Sequence, residues 1–254
     1  MKLNNLEIFL EKMKSGKTAF GTCITFHDSS MTELAADAGF DFCWIDWEHG
    51  VMSQPDIMHH IMALKGTSCA PLVRVPWNEH GVIKKVIDLA PAGIIVPMVN
   101  TAEDAATAVS ACRYPEAGTR GCGFRRAIHF GADSVEEYLE VSRKEPLVIV
   151  QIEHYEAVKN LESILSVPGV GSICIGPYDL SASVGKAGRL RDPEVVALID
   201  EICGKTREAG VLLGAFGSDL PFWKSRGVNW LSTGNDSDAL FRSYRAILAS
   251  ANAD

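Results

Sequence analysis

Two acidic residues each follow a short apolar segment, and one helix-sized segment separates them. Glu153 comes directly after the apolar residues 147–152, and Asp179 comes shortly after residues 172–175. Neighbouring strands of one parallel barrel lie about 4.8 Å apart, so both carboxylates would reach one cation at the same rim. Hard carboxylate oxygens predict Mg²⁺ or Mn²⁺ with open positions, with Co²⁺ and Zn²⁺ as alternatives. The other interpretation is two solvated acids near helix starts.

An arginine ends a third apolar segment. Arg74 follows Leu72 and Val73. A buried arginine needs an anionic partner, because burying an unpaired charge is costly. That partner is either a structural carboxylate such as Asp46 or a substrate oxygen that gains negative charge during a reaction.

Two further residues are candidates for proton transfer. His49 follows an acidic turn that contains Asp46 and Glu48, just beyond another strand-like segment. This placement suits a base that titrates near neutral pH, although a structural histidine is the commoner case. Asp88 lies near the end of the helix after the third strand, which is the bottom rim of a barrel. Taken alone, it is typical of a solvated helix residue.

Apolar segments of strand length alternate with helical patterns along the chain, beginning with an amphipathic helix within residues 1–17. The other predicted helices span 31–38, 55–66, 81–89, 102–112, 135–143, 157–165, 193–209, 221–226 and 237–251. The predicted strands span 20–25, 41–45, 71–75, 93–96, 147–152, 172–175, 211–215 and 229–232.

Eight strands alternating with helices in 254 residues predict a (β/α)8 TIM barrel of the α/β class. No linker-like or low-complexity tract interrupts the pattern, so we expect one domain over residues 1–254, with an N-terminal and a C-terminal helix. An open doubly wound sheet is the alternative. It is less well supported, because no glycine-rich fingerprint follows the first strand.

Composition narrows the possible partners and compartment. The net charge is −8 without a basic tract, which argues against nucleic acid and anionic membranes as partners. No apolar run is long enough to cross a bilayer. The seven cysteines include no C-x-x-C pair and lie mostly in apolar segments, so a reducing, cytoplasmic location is expected.

Taken together, these segments resemble the HpcH/HpaI aldolase family, the metal-dependent aldolases of 2-keto-3-deoxy acids. The likeness runs in one order from about residue 20 to residue 236. Trp47 and the turn 50–53 depart from the family pattern, so the sequence leaves the acceptor aldehyde open. The matching segments are 39–49, 71–75, 83–88, 94–99, 113–121, 151–153 and 175–181.

The resemblance implies a divalent metal held by Glu153 and Asp179, and Arg74 placed at a 2-oxo group. It also implies a catalytic pair of His49 with Asp88. Because Asp88 belongs to the bottom of its own barrel, we expect it to act across a subunit interface. A homo-oligomer, as a hexamer or trimer of dimers, is implied as well.

The resulting hypothesis is reversible cleavage of a 4-hydroxy-2-oxo acid to pyruvate and an aldehyde, through a metal-bound pyruvate enolate. Backbone N–H groups around Gly176, Pro177, Tyr178 and Asp179 would hold the substrate carboxylate. One alternative is decarboxylation of oxaloacetate or a related acid through the same enolate. Another is a non-catalytic protein that binds a 2-oxo acid on the same fold.

Overall fold

Eight parallel strands close into a barrel in chain order in this computed structural model, which describes residues 3–253. Each strand pairs with the next, and β8 closes the barrel by pairing with β1. The predicted TIM barrel is therefore confirmed, and the open sheet was the wrong alternative. The strands are β1 Ala19–Ile24, β2 Phe42–Asp46, β3 Ala70–Arg74, β4 Gly93–Val96, β5 Leu147–Ile152, β6 Ser172–Ile175, β7 Leu212–Phe216 and β8 Trp230–Asn235.

Helices cover the outside of the barrel and alternate with the strands. They are α1 Leu6–Lys14, α2 Ser30–Asp37, α3 Gln54–Ala63, α4 His80–Ile87, α5 Ala102–Cys112, α6 Val135–Ser142, α7 Tyr155–Lys159, α8 Leu161–Leu165, α9 Pro177–Ser183, α10 Pro193–Glu208, α11 Leu220–Lys224 and α12 Asp236–Ala251. An irregular 3-10 segment, Arg125–Gly131, lies between α5 and α6. Within residues 3–253, no helix combines the length and the apolar character needed to span a bilayer.

The helices differ from the predicted ones chiefly at two places. The predicted helix 157–165 is two helices, because the chain breaks at Asn160, whose side chain donates to the Asn100 carbonyl at 2.9 Å. Helix α9 was not predicted. It begins with Pro177, a residue favoured in the first helical turn. The predicted N-terminal helix is confirmed over Leu6–Lys14, and its first residues lie outside the described part of the chain.

The core has two layers. Branched aliphatic residues fill the space between the strands and the surrounding helices. The barrel interior is aromatic, and α1 closes its bottom with Leu6, Phe9 and Met13. This arrangement explains why the strands are apolar on both faces, since neither face meets water.

An aromatic column runs up the inside of the barrel from α1 towards the C-terminal rim. The ring of Phe9 lies 5.5 Å from that of Phe42, which lies 5.4 Å from Trp230. Trp230 is followed by Trp44 at 6.2 Å, and Trp44 by Phe216 at 6.2 Å. The column therefore links the plugged bottom of the barrel to the rim where the charged residues lie.

Gly214 makes room for this column, and its replacement tests the packing. A Cβ at Gly214 would lie 1.9 Å from Trp230 Cε2, so we expect Gly214→Ala to destabilise the protein by about 3 kcal/mol or more. Gly204 in α10 has open space at the same position and serves as the control. Gly204→Ala should be neutral or stabilising by up to about 1 kcal/mol. Equal urea midpoints for the two variants would contradict this packing.

Candidate active site at the C-terminal rim

A cavity of about 380 Å³ opens at the C-terminal ends of the strands, the face that carries catalysis in TIM barrels. Its volume lies within the roughly 300–1,000 Å³ of small-molecule sites. It brings together residues from β1, β2, β3, β5, β7, β8 and the start of α9. The lining residues are Cys23, Thr25, Trp44, Asp46, His49, Arg74, Gln151, Gly176, Pro177, Tyr178, Asp179, Phe216 and Asn235.

Arg74 is held on one side of this cavity by two acids. Its Nε and Nη2 atoms donate to both carboxylate oxygens of Asp46, at 2.9 and 2.6 Å. Its Nη1 atom lies 3.0 Å from Glu48 Oε2. Parallel strand pairing sets Asp46 and Arg74 side by side in register at the ends of β2 and β3. The two-pronged bond therefore fixes the guanidinium plane.

The guanidinium also lies over the Trp44 ring, 5.0 Å from its centre, at the top of the aromatic column. Burial alone would lower the pKa of Arg74, but the bonds from Asp46 outweigh it and hold the pKa above its ordinary value. Arginine carries five N–H donors, of which these acids engage three. Two donors therefore remain in a fixed orientation.

The turn after β2 is folded around the Asp46 side chain. Asp46 Oδ1 accepts from the backbone N–H groups of Glu48 at 3.1 Å and His49 at 3.3 Å. Burial raises the pKa of Glu48 above its ordinary value. The His49 ring, 66% exposed, stands at the cavity mouth with Nε2 3.9 Å from Glu48. The predicted histidine thus does reach the site.

Glu153 is a buried carboxylate directly behind the cavity wall, only 3% exposed. Its Oε1 accepts from the Met98 N–H at 2.7 Å, and its Oε2 accepts from the Gln151 amide. Burial raises the pKa of Glu153 to about 7, with Glu48 and Asp179 adding to the effect and the Met98 bond opposing it. Without a cation nearby, this carboxyl group therefore ionises at a higher pH than an exposed glutamate does.

The backbone around Glu153 is arranged to meet its carboxylate. Met98 adopts a left-handed conformation with φ of 53°, which is uncommon for a residue other than glycine. This conformation accompanies the hydrogen bond from the Met98 N–H to Glu153. Such local strain is often found at functional sites.

Asp179 lies in the first turn of α9, where the chain leaves β6. Gly176 precedes this helix and is packed against Glu153, the acid that follows the neighbouring strand β5, since a Cβ here would lie 2.6 Å from Glu153 Oε2. The two predicted ligands are therefore brought to one rim. Asp179 is exposed to the cavity, whereas Glu153 is buried.

The oxygen atoms around Glu153 and Asp179 are ligands that suit a hard divalent cation. Gln151 Oε1 is a buried oxygen atom without a hydrogen-bond donor. Residues 3–253 contain no cluster of three or more His, Cys, Asp or Glu side chains with the geometry of a metal site. Two carboxylates with open positions remain compatible with the chemistry of Mg²⁺ and Mn²⁺, which keep several water ligands.

Asp88 lies elsewhere in the same chain. It follows α4, near the bottom of the barrel, and its Oδ1 is 3.4 Å from Nη2 of the fully buried Arg120. Burial raises the pKa of Asp88 despite this arginine. His49 stands at the opposite rim. His49 and Asp88 of one chain are therefore not close together. This separation agrees with the expectation that Asp88 does not act within its own barrel.

Comparison with known proteins decides the family. The family model described as HpcH/HpaI aldolase/citrate lyase matches residues 23–221. The chain belongs to this family. The 4-hydroxy-2-oxo-heptane-1,7-dioate aldolase of Klebsiella pneumoniae is 36% identical over 244 residues, which cover 95% of this chain and 92% of that protein. The family resemblance and the expected carbon–carbon lyase are thereby confirmed.

Two other members of the HpcH/HpaI family agree with this assignment. The hydroxypyruvate/pyruvate aldolase of Roseobacter denitrificans is 36% identical over 214 residues, covering 84% of each chain. An HpcH/HpaI family protein from Burkholderia cenocepacia superposes with a TM-score of 0.90 at 29% identity, covering 96% of this chain and 98% of that one. The likeness therefore extends over nearly the whole barrel.

Sequence reasoning missed several residues of this HpcH/HpaI site. Glu48 was not recognised as the second acid on Arg74, and Gln151 and Met98 were not recognised as partners of Glu153. Gln151 lies two residues before Glu153 in β5, so strand periodicity places both side chains on one face. That signal was available in the sequence. The left-handed Met98 had no comparable signal.

The raised pKa of Glu153 predicts an unusual pH dependence of stability. The folded protein holds the Glu153 proton more tightly than the unfolded chain does, because the pKa is higher in the folded state. The free energy of unfolding of the cation-free protein should therefore fall as the pH rises from about 4.5 through 7. The shift corresponds to a loss on the order of 3 kcal/mol. Glu153→Gln should lack this loss. Identical pH profiles of thermal unfolding for both proteins in chelator would contradict the prediction.

Proposed function

We propose that this protein is a divalent-metal-dependent aldolase that reversibly cleaves a 4-hydroxy-2-oxo acid to pyruvate and an aldehyde. The observation that carries the proposal is a fixed arginine with two spare donors in a cavity that Asp179 also lines, with the buried Glu153 carboxylate bonded to the lining residue Gln151. The relatives support it by name, since both names include aldolase and a 2-oxo acid.

Glu153 and Asp179 are the residues that would hold the cation, Mg²⁺ or Mn²⁺ by ligand hardness. When bound, the cation supplies Lewis-acid polarisation of the substrate oxygens. Burial makes Glu153 a strong partner for a cation, because the ionised carboxylate lacks solvent to stabilise it. Gln151 and Met98 hold its oxygens in place.

Arg74 is proposed to stabilise the charge that develops on the 2-oxo oxygen. Cleavage of the C3–C4 bond leaves two electrons on the pyruvate half, which becomes an enolate. The Asp46 bond and the Trp44 ring already fix the guanidinium, so it need not reorganise as the charge forms. Asp46 and Glu48 are therefore positioning residues for Arg74.

The turn from β6 into α9 is proposed to bind the substrate carboxylate. The Gly176 N–H already donates to the Ile152 carbonyl at 3.2 Å, and Pro177 has no N–H. The amides left in this turn are those of Tyr178 and Asp179. The predicted group of four residues therefore narrows to two donors, with Gly176 and Pro177 shaping the turn.

His49 is proposed to take the proton from the C4 hydroxyl group during cleavage and to return it during addition. Its exposed ring at the cavity mouth can reach a substrate hydroxyl. Asp88 would orient the ring from a neighbouring subunit, within a homo-oligomer such as a hexamer. The position of Asp88 at the opposite end of its own barrel supports this arrangement across an interface.

No lysine lines the cavity among the residues described, which favours this mechanism over a Schiff base.

Oxaloacetate decarboxylation through the same enolate needs the same groups. The 380 Å³ cavity has room beyond a small oxo acid, which favours a second substrate and hence an aldol reaction. Comparing pyruvate release from oxaloacetate and from hydroxy-oxo acids separates the two.

Removal of the cation or of its ligands should abolish turnover. We expect treatment with EDTA, Glu153→Gln and Asp179→Asn each to lower kcat at least about 100-fold, with Mn²⁺ restoring only the EDTA-treated wild type. Glu156, an exposed acid in α7, is the control, and Glu156→Gln should retain activity. Full activity of the double variant Glu153→Gln/Asp179→Asn in EDTA would refute the metal role.

Mixing two inactive variants tests the role of Asp88. His49→Ala and Asp88→Ala should each be nearly inactive as pure proteins, if the pair acts across an interface. Mixed oligomers, formed by co-refolding, contain some sites with both wild-type residues and should regain up to about a quarter of wild-type kcat for random assembly. Mixed oligomers without any regained activity would show that Asp88 does not complete a neighbour's site.

A further inference from the structure

A buried arginine lies directly behind the Asp88 carboxylate. Arg120 belongs to the loop after α5, and its Nη2 atom is 3.4 Å from Asp88 Oδ1. The same nitrogen donates to the Ile87 carbonyl, in the last turn of α4, at 3.4 Å. The Arg120 side chain is fully buried, whereas the Asp88 side chain is 31% exposed. The arginine therefore holds the acid from inside the protein, and part of the acid still reaches the surface.

Aromatic rings fix the guanidinium of Arg120. Its central carbon lies 4.5 Å from the centre of the Tyr114 ring and 5.9 Å from that of Tyr138. Its Nη1 atom donates to the Tyr138 hydroxyl at 3.1 Å. The two rings pack edge to face, with their centres 6.3 Å apart. Because this packing leaves the arginine little freedom, the guanidinium can hold Asp88 in one orientation.

The loop that carries Arg120 also packs against the other oxygen of Asp88. A Cβ at Gly123 would lie 2.9 Å from Asp88 Oδ2, so this close approach requires a residue without a side chain. Phe124 follows and anchors the loop, because its ring lies 5.4 and 6.1 Å from the two tyrosine rings. Asp88 is thus held between Arg120 and Gly123.

Two other buried arginines of this region serve the backbone. Arg113 donates to four carbonyl groups, the nearest being that of Pro146 at 3.2 Å. Arg126 donates to the Leu89 carbonyl at 2.6 Å. Arg120 differs from both in that it contacts a carboxylate. That carboxylate is one to which the proposed function gives a role in the reaction.

The charge of Asp88 depends on the groups around it. Burial raises the pKa of Asp88, whereas Arg120 and Lys84 lower it. The hydroxyl groups of Tyr114 and Tyr138 are the other titratable groups beside this pair. An ionised carboxylate stabilises the imidazolium that forms when a histidine takes up a proton, and a protonated one does not. A cation behind Asp88 therefore favours the form that a catalytic histidine needs.

We propose that Arg120 is a positioning residue for the active site of a neighbouring subunit, where it holds the Asp88 carboxylate towards the His49 of that subunit. The inference rests on the proposed function, in which Asp88 acts across an interface. Each chain then contributes to two sites. It supplies Arg74 and His49 to the cavity of its own barrel, and the pair of Asp88 and Arg120 to the cavity of a neighbour.

Mixed oligomers of the Mn²⁺-loaded enzyme show to which site Arg120 belongs. Arg120→Met should lower kcat about tenfold, since the general base loses part of its orientation. Co-refolded with His49→Ala, it should regain about a quarter of wild-type kcat, because some sites then combine His49 with an intact pair of Asp88 and Arg120. Co-refolded with Asp88→Ala, it should stay below about a tenth, because every pair lacks one member. The reverse pattern would place Arg120 in the site of its own barrel and overturn the proposal.

The pH dependence of kcat separates positioning from a purely structural role. Without Arg120, Asp88 should stay protonated to higher pH, so kcat of Arg120→Met relative to wild type should be lowest at acidic pH and rise with pH. Arg120→Lys keeps the charge and should recover most of the lost kcat. Arg143→Met, at an exposed arginine, is the control and should match the wild type. A relative kcat that does not change with pH, with Arg120→Lys no better than Arg120→Met, would overturn the proposal.

A second variant tests the position of Asp88 without removing a buried charge. Gly123→Ala places a Cβ against Asp88 Oδ2 and should displace the carboxylate from Arg120. It should lower kcat and, in mixed oligomers, regain activity with His49→Ala but not with Asp88→Ala. This variant replaces Arg120→Met in the mixing experiment if Arg120→Met does not refold. Wild-type kcat in Gly123→Ala would contradict the positioning role.

The inference and the function on which it rests can fail separately. If the wild type consumes pyruvate with no member of a broad aldehyde panel, the aldolase proposal fails. If mixtures of His49→Ala and Asp88→Ala regain no activity, action across the interface fails, and the role of Arg120 fails with it. If that mixture regains activity but Arg120→Met does not behave like Asp88→Ala, only the inference about Arg120 is overturned.

Discussion

The burial of one carboxylate, that of Glu153, is the constraint on which the site depends. With its pKa raised to about 7 by burial, this group resists ionisation unless a positive charge approaches it. Arg74 cannot provide that charge, because two other acids already hold it. In the proposed function, a divalent cation beside Asp179 would supply that charge.

The barrel fixes this arrangement through packing as well as hydrogen bonds. The aromatic column begins at α1 and includes Trp44, so the ring on which the guanidinium of Arg74 lies is packed against rings that continue to the bottom of the barrel. Register between β2 and β3 places the Asp46 carboxylate beside it. The position of Arg74 therefore follows mainly from the closed barrel, with Glu48 of the turn after β2 adding a second acid.

The strands and the rim position of the candidate site residues were predictable from the sequence. Apolar segments predicted all eight strands, and the rule that sites lie at strand C-termini selected Glu153, Asp179, Arg74 and His49, which the structure places at that rim. The side-chain partners were harder to predict, because the contact between Arg74 and Glu48 depends on the conformation of the turn after β2. The conformation of Met98 likewise depends on tertiary contacts rather than on local propensity.

The most direct test of the central claim is a crystal structure of the protein with Mn²⁺ and pyruvate, examined by anomalous scattering of manganese. We expect one strong peak within coordination distance of a Glu153 oxygen and an Asp179 oxygen, with pyruvate beside it and Arg74 at the 2-oxo oxygen. An anomalous peak elsewhere, or none between these carboxylates at saturating Mn²⁺, would contradict it.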